Sequence, residues 1–454
     1  MINDSGLKIF AVALLSVLLL ASASCNRKPA PTGSESLPGT SQAPTEVPPA
    51  QGNESSMMAV RFLEDRVKDD PDDIVALNKL SGYYLQLHRE TEDVKYLRMA
   101  LHLGQSSLRV LPADQNLGGL RALAHAEYET HDFRSARDHA KELTEYEPRR
   151  ALGFQLLGDA SLELGDYDAA IAAYKQMEQL DPGTVPTESR LAHLALLRGD
   201  TATAQRRYAN ALAQAKNSPF PSAETIAWCQ WQLGEVDLAT GDYQKAEGHY
   251  REALGAFKDY PHAVTSLARL RAAQGDLAGA IATFEELARK YSDPIDEAAL
   301  GDLYKLAGRD GDAQKQYSAV ERLSQQSPFH SALYNRHLAL FLADHDLKVD
   351  QAYALARKEY ETRRDIYGAD ALAWAALKAG KLDEAQAAMK DALRLSTEDA
   401  RLFYHAGMIA RAAGDRTTAT TFLRRAIQLN PHFDPWQSKV AREALEQASG
   451  TAAD

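Results

Sequence analysis

An all-α solenoid, a single line of stacked helical hairpins, is the fold class this sequence predicts, and three observations predict it. A period of about 34 residues runs through most of the chain, and self-similarity on that scale marks architectures in which each unit buries its apolar face against its neighbours. One position of the period is always Gly or Ala, and a second is alanine in eight of nine copies. Between them, where a turn must fall, glycine recurs.

The first segment, residues 1–25, carries an address rather than a fold. It has a charged start ending at Lys8, an apolar run from Ile9 to Leu20, and a small-residue exit from Ala21 to Cys25, which are the three parts of a secretory signal. The apolar run falls short of the roughly 20 residues that a membrane-spanning helix needs. Two cleavages fit. Ala21-Ser22-Ala23 suits ordinary A-x-A processing to a soluble chain. Leu20 to Cys25 resembles a bacterial lipoprotein lipobox, with Ser22 where a larger aliphatic residue is commoner. That resemblance implies a diacylglycerol on the Cys25 thiol. Asn26 is not the aspartate that in that family favours the inner membrane. Acyl chains add about 0.8 kcal/mol per buried methylene, so a multiply acylated Cys25 holds the body firmly at a bilayer. The expected location is the cell envelope, as an outer-membrane lipoprotein facing the periplasm, or otherwise a secreted or periplasmic soluble protein.

Residues 26–56 are rich in Pro, Ser, Thr, Gly and Gln. They bury too little apolar surface to offset ordering entropy, so the expectation is a disordered tether. Residues 57–116 read as a short helix near Met57–Val67 followed by a degenerate helix pair from Asp73 to Pro112, with Asp72 or Asp73 as N-cap.

Residues 117–434 hold the repeat. The segment Ala151 to Pro182 carries Phe154, Leu157 and Gly158, then Gly165-Asp166-Tyr167, then Ala170, Tyr174 and a closing Pro182. The frame recurs with first positions at Leu117, Ala151, Val185, Ala227, Pro261, Pro294, Ala332, Ile366 and Ala400. Position 8 reads Ala124, Gly158, Ala192, Gly234, Ala268, Gly301, Ala339, Ala373 and Gly407. Position 20 runs from Ala136 to Ala419, with Ala352 one residue late in the seventh copy. The turn residue is Gly165, Gly199, Gly241, Gly275, Gly308, Gly380 or Gly414, replaced by His131 and Asp346 in two copies.

These residues resemble the tetratricopeptide repeat (TPR), a helix-turn-helix unit of about 34 residues. The resemblance implies a right-handed α-solenoid of about nine to ten repeats, here closed by a capping helix from Pro435 to Gln447 within residues 435–454. Small residues at 8 and 20 are expected to face each other where the helices cross, and glycine at 15 to end the first helix in the left-handed conformation. Aromatics at 24, such as Tyr174, Tyr250 and Tyr317, are expected to fill the space against the next unit. The insertion Lys216–Ser222 and extra residues around Ser324–His330 read as surface excursions or subdomain joints.

Composition narrows the function. The chain has 454 residues and a net charge of −12, the wrong sign for coating nucleic acid by phosphate neutralisation. Two cysteines without metal-ligand spacing give neither a disulfide framework nor a metal centre. Cys229 reads as a buried small hydrophobe, and His337, His345 and His405 as surface or groove residues. No HExxH, GxSxG, P-loop or GxGxxG occurs. With nearly every segment assigned to a repeat, the reading is a protein that is not an enzyme, with no catalytic residue, metal or cofactor.

What remains is binding. Family members line an inner concave face mainly with first-helix positions 2, 5, 9 and 12. Carried onto this frame, the resemblance nominates Trp228, Trp231, Arg336, Asp370, Trp374, Tyr404, Met408 and Arg411. Aromatic and Arg residues are enriched at binding hot spots, although these rings equally suit a packed core. The expected function is an envelope scaffold that holds a protein or peptide partner and touches the membrane through lipidated Cys25. Two alternatives stand beside it: a dedicated assembly factor of a secretion, pilus or outer-membrane machine, and an envelope hydrolase with its site in the groove.

Overall fold

The computed structural model describes residues 52–290 and 293–450. The signal segment, Cys25 and nearly all of the tether lie outside the described residues. Every regular element among the described residues is a helix, and none of these helices is long and apolar enough to cross a membrane.

The leading helix, Gly52–Asp69, takes in the last residues expected to be tether. A hairpin follows, Ile74–Thr91 and Lys95–Val110, with the Asp73 side chain accepting from the Ala76 N–H as N-cap. Nine units come next. Units 1 to 3 pair Leu117–Glu129 with Phe133–Tyr146, Ala151–Glu163 with Tyr167–Leu180, and Val185–Leu197 with Thr201–Lys216. Units 4 to 6 pair Ala223–Ala239 with Tyr243–Ala256, Pro261–Ala273 with Leu277–Lys290, and Pro294–Leu306 with Asp310–Ser324. Units 7 to 9 pair Pro328–Asp344 with Val349–Tyr360, Ile366–Lys378 with Leu382–Ala392, and Ala400–Ala412 with Arg416–Leu429. The helix Gln437–Gly450 closes the line, burying Ala441 and Ala444 while leaving Trp436 exposed.

The turn chemistry is local and repeated. The position-15 glycines all have positive φ, from 72° at Gly199 to 90° at Gly275, and His131 and Asp346 adopt the same left-handed conformation at 64° and 53°. The next residue is the N-cap of the second helix: Asp132, Asp166, Asp200, Asp242 and Asp415 each accept from a backbone N–H three residues on. Such a cap contributes about 1 kcal/mol.

One packing expectation is corrected. A Cβ built on Gly158 would lie 2.4 Å from the Tyr174 ring, one on Gly234 2.5 Å from Tyr250, and one on Gly301 2.5 Å from Tyr317. Position 8 is therefore small because the aromatic at position 24 of the same unit lies on it; position 20 is not its main neighbour. The ring also meets the next unit as expected, Tyr317 lying 5.3 Å from Phe341 and 4.6 Å from His345, and its hydroxyl donates to a carboxylate at position 9: Tyr174 to Asp159 (2.8 Å), Tyr250 to Glu235 (2.7 Å) and Tyr317 to Asp302 (2.7 Å). Each carboxylate also binds the following unit, through Arg190 (2.6 Å), Arg269 (3.4 Å) and His345 (2.8 Å) respectively. The extra residues of units 4 and 7 are partly helical, since both first helices gain a turn and run to 17 residues.

The line coils until it meets itself, with six units to the turn. His131 of unit 1 donates from Nδ1 to the Ala332 carbonyl at the seventh unit (3.3 Å). Arg363, in the loop before unit 8, pairs with Glu163 of unit 2 (2.6 Å), and the Ile366 N–H donates to the Tyr167 hydroxyl (2.8 Å). Thr397 before unit 9 donates to the Leu197 carbonyl of unit 3, and Asn430 after unit 9 to the Leu238 carbonyl of unit 4. At each step the turn of one unit touches the loop that precedes the unit six further on.

Candidate functional site

The inner face is made of first helices, and the coil draws them close enough to bond across the lumen. Arg89, near the end of helix Ile74–Thr91, donates from Nε to Glu224 of unit 4 (3.3 Å), and Glu92 pairs with His262 of unit 5 (2.8 Å). Between them lies a cavity of about 60 Å³ with Arg89, Glu92, Glu129, Trp228, Tyr334 and Arg336 among its lining. A water needs roughly 10–15 Å³ of space measured this way, so the cavity admits a few waters.

The lining is polar beyond what packing requires. The Trp228 indole N–H, Glu129 Oε2 and His131 Nε2 are buried without a hydrogen-bond partner among the described residues. Burial, reinforced by the neighbouring Arg363 guanidinium, holds His131 well below the ordinary imidazole range. Its bond to the Ala332 carbonyl assigns the proton to Nδ1, leaving Nε2 as an acceptor.

The eight nominated groove residues separate into three places. Trp228, 7% exposed, lines the cavity with Arg336, whose guanidinium grips the Asp365 carboxylate at 3.2 and 2.5 Å. Trp231 is buried beside it, donating to Ser266 Oγ (3.0 Å) and stacked on His262 at 4.5 Å. Asp370, Trp374 and Tyr404 form a second buried group. His405 lies within it, 2.9 Å from Asp370 and stacked on Trp374 at 4.3 Å, while Tyr404 sits between Trp374 and Phe433. Asp344 anchors the group, accepting from Trp374 Nε1 (2.8 Å), Arg401 (2.5 Å) and Gln437 (2.6 Å). Met408 is half-buried, and Arg411 is exposed and reaches Gln447 of the closing helix (2.8 Å). Six of the eight side chains are thus buried in the chain's own packing.

Of the three histidines expected at the surface or groove, His337 lines this cavity, His405 is 0% exposed within the second buried group, and His345 pairs with Asp302 (2.8 Å). Cys229 is buried as expected, and burial pushes its thiol up. Among the described residues no group of three or more His, Cys, Asp or Glu is placed to hold a metal ion. Sequence reasoning missed Arg89, Glu92, Glu163, Glu224 and Arg363. Their one signal was charge at first-helix ends and inter-unit loops.

Family models described as tetratricopeptide repeat match residues 121–184 and 371–432, 184–259 and 237–303. The chain is built on tetratricopeptide repeats. It is 25% identical over 312 residues to the cellulose synthase operon protein C of Escherichia coli K12, a match covering 61% of this chain and 27% of that one. A 69-residue stretch is 46% identical to the probable biofilm formation methyltransferase WspC of Pseudomonas putida, covering 15% of each chain. The chain thus spans about a quarter or less of these relatives' lengths. Among solved structures it is similar to PilW, a type IV pilus biogenesis factor, with 18% identity over 47% of this chain and 96% of that one and a TM-score of 0.38. It is also similar to the human IFIT1 dimer, with 14% identity over 82% and 94% and a TM-score of 0.44.

Proposed function

We propose that this tetratricopeptide repeat protein is a lipid-anchored scaffold of the bacterial envelope that holds a protein partner against the inner face of its coil and acts by binding rather than turnover. The observation that carries this reading is the charged and aromatic lining of Arg89, Glu92, Trp228 and Arg336. A hairpin stack is held by its Ala, Leu and Tyr contacts, and buried charge adds little net stability to it. Such a lining suits recognition, because repeat proteins bind along the surface their curvature creates. Export and anchoring rest on the signal-like residues 1–25 and the lipobox resemblance at Cys25. The relative named for a cellulose synthase operon favours a narrower form of the same reading, an assembly factor dedicated to one envelope machine.

Affinity capture from native envelopes tests the reading. A stoichiometric protein partner is expected, and Met408→Ala with Arg411→Glu, at the accessible end of the inner face, should cut its retention about tenfold. Capture of no partner, or turnover of an envelope substrate by the purified protein, contradicts it. Mass spectrometry of the mature N-terminus should find an acylated Cys25; a free Ser24 would remove the anchor.

A further inference from the structure

We infer that the contact between successive turns of the coil is a latch. The coil parts along it while the repeats stay folded, and only the parted coil opens its inner face to a protein segment. The first statement concerns the free protein alone, and the second rests on the inner-face reading above.

The seam has one register throughout, and most of its links are polar: hydrogen bonds onto the Leu197, Leu238, Ala332, Glu361 and Gly165 carbonyls, the Ile366 N–H on the Tyr167 hydroxyl, the Tyr243 hydroxyl on Asn430, and the Arg363–Glu163 pair. Its apolar part lies in two places: Ile366 and Tyr367 pack into the group of Leu162, Tyr167, Leu194 and Leu197, and Ile295, Leu333 and Tyr334 pack with Leu97 and Ala126 at the N-terminal end. The hairpin interiors bury alanines, leucines and aromatics unit after unit, and their contacts run between chain neighbours. Nearest-neighbour packing of that kind survives when distant units separate.

The most buried link of the seam is also cheaper to break than it looks. Arg363 and Glu163 are each 5% exposed, and desolvation of such a pair cancels most of its attraction. When the turns part, Glu163 regains water, and Arg363 keeps Asp365 (3.7 Å) and Glu359 (3.8 Å) from its own segment. In the closed form Trp228 and Arg336 of this lining are 7% and 3% exposed, so most of their surface is masked. A partner selecting the parted form stabilises it by its difference in affinity between the two.

One amide reports the seam directly. Ile366 is the first residue of its helix, so its N–H has no acceptor within that helix and is protected by Tyr167 across the seam. In native-state hydrogen exchange this amide should exchange at least about tenfold faster than that of Ala373 in the same helix, with a weaker denaturant dependence. Glu163→Gln should accelerate Ile366 about tenfold further and leave Ala373 and the helical circular dichroism unchanged. Luminal opening is read separately in a Trp436→Phe background, where the remaining tryptophans, Trp228, Trp231 and Trp374, are all buried. Glu163→Gln should there raise acrylamide quenching.

Equal exchange of Ile366 and Ala373 with the same denaturant dependence overturns the latch, and this wild-type comparison decides even if the variant fails to fold. Fast exchange at Ile366 with unchanged quenching also overturns it, since the helix end alone would then be fraying. Quenching that rises without any gain in captured partner overturns the inner-face reading and leaves the latch standing.

Discussion

The turn glycines of units 2 to 4 and those of units 5, 6, 8 and 9 share one sequence position and one left-handed conformation, yet their surroundings differ. A Cβ on Gly165 would lie 2.3 Å from the Arg364 carbonyl oxygen, one on Gly199 2.7 Å from that of Ser396, and one on Gly241 3.4 Å from that of Leu429. Around Gly275, Gly308, Gly380 and Gly414 nothing lies within 4 Å. The same residue thus does one job in half the molecule and two in the other half. Everywhere it ends a helix; along the seam it also lets the next turn approach. The hairpin and the closure of the coil are separate layers of instruction written partly on the same positions.

Breaking the inner layer should cost most. Asp159→Ala leaves Arg190, 1% exposed, without its bidentate partner at 2.9 and 2.6 Å. Stranding a buried charge this way costs about 3–5 kcal/mol, and chemical denaturation should show that loss. Gly158→Leu drives a side chain into the Tyr174 ring and should cost about 3 kcal/mol through overpacking.

The seam layer is sharpened by a matched pair. Gly380→Ala carries only the left-handed penalty, about 1–2 kcal/mol. Gly165→Ala carries the same penalty plus the clash with Arg364, so its melting temperature should fall further. Equal losses at the two sites would mean that the turns do not touch in solution.

The smallest expected effect depends on pH. Glu297, in the first turn of unit 6, has a buried Oε2 with no hydrogen-bond partner among the described residues. Burial first and the nearby Asp293 carboxylate second push its carboxyl up to about 7 from 4.5. Between those values the folded chain holds a proton that the unfolded chain has released, so stability from this group falls as pH rises through the window and is fully lost above it. The full shift corresponds to about 3 kcal/mol, and with solvent screening of this group Glu297→Gln should gain about 1 kcal/mol at pH 8 and nothing at pH 4. A gain that does not vary with pH would place its cause elsewhere.

How much of this was legible in the sequence follows from the distances involved. The first-helix stop at Gly165 and the small residue at Gly158 answer to partners within about half a repeat, so periodicity exposed both positions, while the Asp166 cap and the Tyr174 ring on Gly158 came from the structure. The tyrosine–carboxylate link was readable but unread: Tyr174, Tyr250 and Tyr317 pair with acids at position 9, while Phe284, which has no hydroxyl, accompanies Arg269 there. The seam was not readable. Its partners lie 199 to 201 residues apart at Ile366, Arg363 and His131, and the period says nothing about where a coil meets itself. The carried-over groove positions yielded Trp231, Trp374 and Tyr404 as binding residues, where the structure packs them against adjacent units: Trp231 on Ser266 and His262, Trp374 on Asp344 and Tyr404, and Tyr404 on Phe433.

Closure is the claim on which the rest depends, and a distance across the seam tests it directly. Spin labels at Arg198 of unit 3 and Glu398 before unit 9 flank Gly199, whose built Cβ lies 3.2 Å from Glu398 Cγ. Dipolar spectroscopy on the labelled protein should give a dominant short and narrow distance distribution, with a minor longer component from the parted form. A single long, broad distribution would show an open superhelix and contradict the account.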